Sequence, residues 1–239
     1  MTVRGAAMSG ASPGAAVALT ILGAIAAGLV LQGTAMHLYP GGNAIDHAAR
    51  GHSFWFNFLC DLTSSTAGDG RPNHLGAGLA KAAMLAFAVA LACFWGLLPG
   101  RLGARRSRAT AIRALGAFSV AGLVIAPLTT GWVHAAAILG ASAPALGAGL
   151  LALVALVRSS RRFAAGMAGA AVVAAALDAV LYARSYLTHP RVVPPALPVF
   201  QRIAFLLMLI WMAATAWEVL REPDRSTRRY GPLAAPPLA

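Results

Sequence analysis

The sequence predicts an all-α integral membrane bundle of six transmembrane helices. Of its 239 residues, 59% are apolar and only 11% are charged, whereas a soluble domain carries about a quarter charged residues. The apolar residues also form six runs, each of which approaches or exceeds the roughly 17 to 25 residues that cross a bilayer as a helix. The arginines, in contrast, are concentrated between these runs.

The chain is predicted to form one membrane domain with a short segment at each end. Residues 1–14 are expected to be a cytoplasmic N-terminal segment, residues 15–220 the six-helix transmembrane domain, and residues 221–239 a disordered cytoplasmic tail. The first run is longer than the roughly 7 to 15 apolar residues of a signal peptide, so an anchor is favoured. The predicted spans are 15–36, 75–98, 114–130, 132–157, 163–187 and 199–220.

The distribution of arginine predicts the orientation. The second and fourth connectors and the tail are rich in Arg, and such loops face the cytoplasm under the positive-inside rule. Both termini are therefore expected in the cytoplasm, and a bacterial inner (cytoplasmic) membrane is the expected location. The same rule accounts for the net charge of +12, so nucleic acid is not an expected partner.

The first outer loop is predicted to contain a short amphipathic helix from Ser53 to Leu62. With 3.6 residues per turn, Ser53, Asn57 and Asp61 fall on one face and the aromatic residues on the other. Ten helical residues extend only about 15 Å, which is too short to cross a bilayer. This polar face is a candidate binding or catalytic surface.

All six histidines are predicted to lie at the outer side. His37, His134 and His189 are at the outer ends of three different spans and are candidate ligands for a divalent metal. Catalytic zinc commonly has three protein ligands and one water. The chain has no HExxH motif, however, and histidines are also common as polar ends of membrane helices, so both interpretations remain open.

Asp178 interrupts the fifth span far from either predicted loop. A carboxylate in the middle of a membrane costs about 2.5 to 3.5 kcal/mol on insertion scales and is expected to have a partner. Lys81 and Arg202 are the candidate partners, and Tyr182 is one turn away on the same face. Asp178 is interpreted either as an acid in a functional site or as half of a structural ion pair.

The stretch from Gly51 to Leu62, followed by Arg71-Pro72-Asn73, resembles a motif of an uncharacterised bacterial and archaeal family of six-span membrane proteins. That family is similar to the DRAM/Frag/Sfk-like group, whose first outer loop carries an aromatic-x-Ser-Asp signature. Asn57 and Asp61 match this pattern, but Cys60 replaces the usual Ser, which argues against a nucleophile there. The resemblance implies a lipid-related or regulatory role in the membrane.

The expected function is to bind or remodel a lipid or an envelope precursor at a polar extracytoplasmic site. Whether the protein is an enzyme is left open, and the catalytic candidates are Asp61, Asp178 and Asn57. The expected binding contacts are Ser53, Asn57, Asp61, Lys81, Tyr182, Arg184 and Arg202.

Two alternative functions are a metal-dependent intramembrane hydrolase and a non-catalytic subunit of a membrane protein complex. In the second alternative, helix faces with small residues would bind the partner helices. The glycines concerned are Gly23, Gly28, Gly76, Gly116 and Gly122.

Overall fold

The computed structural model describes residues 12–43, 45–159, 161–188 and 194–221. Nearly all of the two predicted cytoplasmic ends, and His189, lie outside these residues. The described part contains six long α-helices, and each is long and apolar enough to cross a membrane. The prediction of a six-helix membrane bundle is confirmed. The helices are α1 Pro13–Leu38, α2 His74–Arg101, α3 Arg106–Ile125, α4 Gly131–Arg158, α5 Arg162–Thr188 and α6 Ala196–Arg221.

Local sequence signals explain several helix boundaries. α1 begins at Pro13, and the side chain of the preceding Ser12 accepts a hydrogen bond from the backbone N–H of Ala15. α3 ends at Ile125, five residues earlier than predicted, because Pro127 has no N–H to continue the α-helix, and a separate 3-10 helix, Ala126–Leu128, follows. Gly131, with a φ of +60°, then reverses the chain into α4.

The six helices form a closed ring. Each helix packs against the next one in sequence, and α6 returns to pack against α1. α2 also contacts α6 across the ring. In the core, the ring centre of Trp211 on α6 lies 5.0 Å from the ring centre of Phe94 and 6.1 Å from that of Trp95, both on α2. The basic connectors after α2 and α4 are at the end of the bundle opposite the loop between α1 and α2.

Several glycines allow close contacts within this ring of helices. A Cβ on Gly28 would collide with the ring of Phe87, one on Gly116 with Trp95, and one on Gly122 with the α4 backbone. Gly76 is packed in the same way against Asn73. Only Gly23, among the five glycines proposed for a partner, faces open space. Four of the five therefore stabilise contacts within this chain.

Residues 39–73, which we call the cap, cover one end of the bundle. The predicted α-helix from Ser53 to Leu62 is wrong: the chain forms turns there, followed by the 3-10 helix Cys60–Thr63. The reason is that polar side chains capture the backbone donors. Asp61 Oδ2 accepts from the N–H of Phe58 at 2.9 Å, and Asn57 Oδ1 accepts from the N–H of Ser53 at 2.9 Å.

The two faces of this stretch are also arranged differently from the expectation. Asn57 is fully buried, whereas Phe54, Trp55 and Phe56 are 38%, 46% and 47% exposed. Half-exposed aromatic rings at the end of a membrane bundle are typical of the interface between lipid and water. The aromatic tip of the cap therefore marks the level of that interface.

Candidate functional site

Arg202 of α6 fastens the cap to the helices. Its side chain is fully buried. Nε donates to the carbonyl oxygen of Phe54 at 2.9 Å, and Nη2 donates to the carbonyl oxygen of Asn57 at 2.8 Å. The guanidinium also lies 5.3 Å from the centre of the Phe54 ring, within the range of a cation–π contact. The guanidinium of Arg202 thus binds the cap.

Gln201 provides a second attachment. Its Oε1 accepts a hydrogen bond from the backbone N–H of Leu59 at 2.9 Å and another from Nη1 of Arg202 at 3.3 Å. Both partners are donors, so the amide atom of Gln201 that faces them must be its oxygen and not its nitrogen. Two consecutive residues of α6 therefore hold three backbone groups of the cap.

Asn57 and Asp61 form the interior of the cap. Nδ2 of Asn57 donates to the carbonyl oxygen of Gly42 at 2.8 Å and to Oδ2 of Asp61 at 3.1 Å. Burial raises the pKa of Asp61, and this is only partly opposed by the hydrogen bonds from Asn57 and Phe58 and by the charge of Arg202. Ser53 contributes its backbone N–H to the same network. The motif that stands out in the sequence is used here to fold the cap.

Two further cap residues have strongly shifted pKa values. Burial, followed by the charge of Arg202, lowers the pKa of His52 to about 4, and the His52 ring packs edge-on against Tyr39 at 5.7 Å. Burial, followed by the charge of Asp61, raises the pKa of Cys60 to about 12. A thiol with that pKa is almost entirely protonated near neutral pH, so Cys60 is a poor nucleophile.

Beneath the cap, residues of helices α2 to α6 line a cavity of about 250 Å³. Its wall is mostly apolar and includes Met84, Phe87, Leu91, Phe205 and Met208. The cap supplies part of the wall at one end. The polar residues of the wall are few, and they are Cys60, Thr63, Ser119, His134, Ser142, Asp178 and Gln201.

Asp178 is half-buried and lies in the wall of this cavity. The predicted ion pairs are wrong, since neither Lys81 nor Arg202 forms a salt bridge with it. Arg202 is bound to the cap instead, and Lys81 is half-buried outside the cavity wall. Nothing in the described part of the chain donates a hydrogen bond to the Asp178 carboxyl. Tyr182, half-buried, and Arg184, exposed, lie further along α5.

His134 lies at the end of the cavity nearest the cap. Its Nδ1 is 2.7 Å from the carbonyl oxygen of Ala126, so Nδ1 carries a proton, and in the neutral ring Nε2 is an acceptor. Nε2 is buried and has no hydrogen-bond partner. Ser142, another residue of the wall, donates to the carbonyl oxygen of Ile138 at 2.9 Å.

The three-histidine metal site stays a prediction. Among the described residues, no three His, Cys, Asp or Glu side chains are grouped as they are around a metal ion. His37 is exposed at the end of α1, and His134 lies in the cavity wall. His189 is outside the described residues.

These observations define a multi-pass α-helical membrane protein with a mostly apolar cavity between its helices, and a folded loop supplies part of the cavity wall. No family model matches the chain, and no similar curated protein or solved structure is found. The resemblance to the DRAM/Frag/Sfk-like group therefore also stays a prediction.

Proposed function

We propose that this protein binds an amphipathic, lipid-like molecule whose apolar chain occupies the cavity between α2 and α6. The observation that carries the proposal is the cavity itself, about 250 Å³ with a mostly apolar wall, in a bundle where α2 packs against α1 and α3, and α3 against α4, closely enough to require glycine. An empty apolar cavity forfeits dispersion contacts along its whole lining. An apolar ligand would restore those contacts.

The size of the cavity favours a single-chain ligand. An engineered apolar cavity of about 150 Å³ already accepts benzene, and sites for drug-sized molecules begin at about 300 Å³. The present volume lies between these values. It suits one hydrocarbon chain, or the chain portion of a larger lipid whose remainder stays outside.

The surroundings of the cavity fit a role at the outer leaflet. The arginine-rich connectors lie at the end opposite the cap, and the positive-inside rule would place that end in the cytoplasm. The cap and the cavity entrance would then face the extracytoplasmic side of a bacterial inner membrane. Lipids and envelope precursors that reach this leaflet are the candidate ligands.

Native mass spectrometry of the detergent-purified protein tests the proposal. The protein is titrated with a panel of single-chain lipids that have neutral, cationic and anionic headgroups. We expect a saturable one-to-one complex with at least one of them. Ala175→Phe fills the cavity from α5 and should weaken that complex about tenfold, which corresponds to a loss of about 1.4 kcal/mol in binding free energy.

Ala170→Phe is the matched control, because Ala170 is exposed on the same helix. It should bind as the wild type does. The proposal is refuted if the wild type shows no saturable complex, or if both variants bind equally well while remaining folded by circular dichroism.

A further inference from the structure

We infer that the ligand of this cavity carries a hydrogen-bond-donating headgroup without negative charge, as a long-chain amine or alcohol does. This inference rests on the proposed function and specifies its ligand class. It depends on three features of the wall: one carboxyl group, no basic side chain, and a buried histidine nitrogen that lacks a donor.

The first feature is the charge of the wall. Asp178 is the only acidic residue among the described residues that line the cavity, and no Lys or Arg accompanies it. The insertion of a fatty acid or a phosphate headgroup would bring a second acidic group into the same low-dielectric space. Like charges a few ångströms apart repel strongly there. An ammonium group would instead pair with the carboxylate, and a hydroxyl would donate to it.

The second feature is the use of the neighbouring cations. The guanidinium of Arg202 is the nearest candidate to receive an anionic headgroup, but its Nε and Nη2 are bound to carbonyl oxygens of the cap. Lys81 is not part of the wall. Arg202 is not part of the wall either, so no Lys or Arg side chain in the described part of the chain faces an anionic headgroup in the cavity.

The third feature is His134. Its Nδ1 donates to Ala126, so Nε2 is an acceptor, and this atom is buried without a partner. A buried acceptor that is left unpaired costs about 1 to 3 kcal/mol. A ligand hydroxyl or amine at this end of the cavity would supply the missing donor.

The positions of these groups set the direction of the ligand. His134 is in the first turn of α4, and Asp178 is ten residues before the end of α5, which corresponds to about 15 Å of helix. The part of the cavity beyond Asp178, which includes Leu91, Trp95 and Met212, is mostly apolar, and its unpaired polar atom among the described residues is the indole Nε1 of Trp95, a donor. The headgroup therefore lies between His134 and Asp178, and the chain extends away from the cap.

Three probes with one chain length separate headgroup from chain: hexadecylamine, hexadecanol and palmitate. Competition between them for the wild-type protein is measured by native mass spectrometry. We expect the amine and the alcohol to bind about tenfold more tightly than palmitate or better, since a tenfold ratio needs only about 1.4 kcal/mol. Asp178→Asn should reduce the ratio of amine to palmitate to about threefold or less. His134→Phe should weaken hexadecanol more than palmitate.

Glu218→Gln is the control, because Glu218 is exposed near the far end of α6 and outside the cavity. It should leave all three affinities unchanged. Palmitate binding as tightly as the amine to the wild type overturns the inference while the proposed function stands. Failure of all three probes to bind removes the proposed function and the inference with it. The comparison among probes needs no variant, so it holds even if a substitution impairs folding.

Discussion

The cap and the cavity use polar residues in opposite ways. In the cap, the side chains of Asn57, Asp61 and Arg202 are bonded to the cap backbone or to one another. In the cavity, the carboxyl of Asp178 and Nε2 of His134 have no partner among the described residues. The cap is rich in polar residues because it must fold outside regular helices. The cavity has few polar residues; Gln201 and Ser142 are bonded within the protein, whereas Asp178 and His134 each keep a polar atom available.

This contrast shows which polar residues to examine in a membrane protein. A dense polar motif in a loop is explained by the need to satisfy backbone groups that no helix satisfies. An isolated polar group that faces an internal space has no such explanation. The proposed ligand site therefore rests on the unsatisfied groups that face the cavity, Asp178 and His134, and not on the conspicuous motif of the cap.

The largest effect is expected from the loss of the Arg202 contacts. Arg202→Met removes the donors to two carbonyl oxygens of the cap, and we expect a loss of about 3 kcal/mol or more in the free energy of unfolding. Arg202→Lys should not restore it, because an ammonium lacks the planar fork that reaches both carbonyls. Thermal unfolding in detergent measures the loss. Arg113→Met, at an exposed position of α3, is the control, and an equal effect there would contradict the assignment.

The next largest effect is expected from larger side chains at the internal glycines. Gly122→Leu forces side-chain atoms against the α4 backbone, and we expect destabilisation by about 1 to 3 kcal/mol or more. Gly23→Leu should be tolerated, since Gly23 faces open space. Thermal unfolding and size-exclusion chromatography distinguish the two roles of glycine. A well-folded Gly122→Leu protein that merely loses a partner would favour the accessory-subunit alternative.

Asp61 in the cap and Asp178 in the cavity provide the direct test of the difference between these two regions. Asp61→Ala leaves the N–H of Phe58 and Nδ2 of Asn57 with one partner fewer, so the free energy of unfolding should fall by about 1 to 3 kcal/mol. Asp178→Ala should leave it unchanged or raise it, because an unpaired carboxyl is removed from an apolar wall. Thermal unfolding of both variants at one pH is sufficient. The opposite ranking would show that Asp178 is structural and Asp61 is not.

The smallest expected effect is a pH dependence from His52. Its pKa is lowered from 6.5 to about 4 in the folded protein, so the folded state favours the neutral ring. The resulting stability is present above about pH 6.5 and is lost as the pH falls toward 4.

The unfolding temperature of the wild type, relative to that of His52→Gln, should therefore decline over this interval. The raised pKa of Asp61 acts in the opposite direction, but it is common to both proteins. His74→Gln, which replaces an exposed histidine at the start of α2, is the matched control. A difference between the wild type and His52→Gln that stays constant over this interval would contradict the assigned shift.

The sequence was sufficient for the helices but not for the cap. Long apolar runs specify spans through composition alone, and Asp178 was identifiable because a carboxyl group in such a run is rare. The pattern from Ser53 to Leu62 has a helical period, yet the side chains of Asn57 and Asp61 bind nearby backbone donors and prevent the helix. The Arg202 contacts join residues 145 and 148 positions apart, and no local pattern reports such a pairing. The cavity is a missing volume, which spacing along one helix does not reveal.

The same separation has a consequence for biogenesis. The cap residues Phe54 and Asn57 leave the ribosome 148 and 145 residues before the arginine that completes their hydrogen bonds. At about 5 to 20 residues per second of synthesis, this interval lasts about 7 to 30 s. Throughout it the cap carbonyls must be hydrated, and the ring of helices is open where α6 will insert. The last helix to be translated thus completes the hydrogen bonds of the first loop, and we expect a chain that stops before α6 to leave the cap without its three backbone bonds to Gln201 and Arg202.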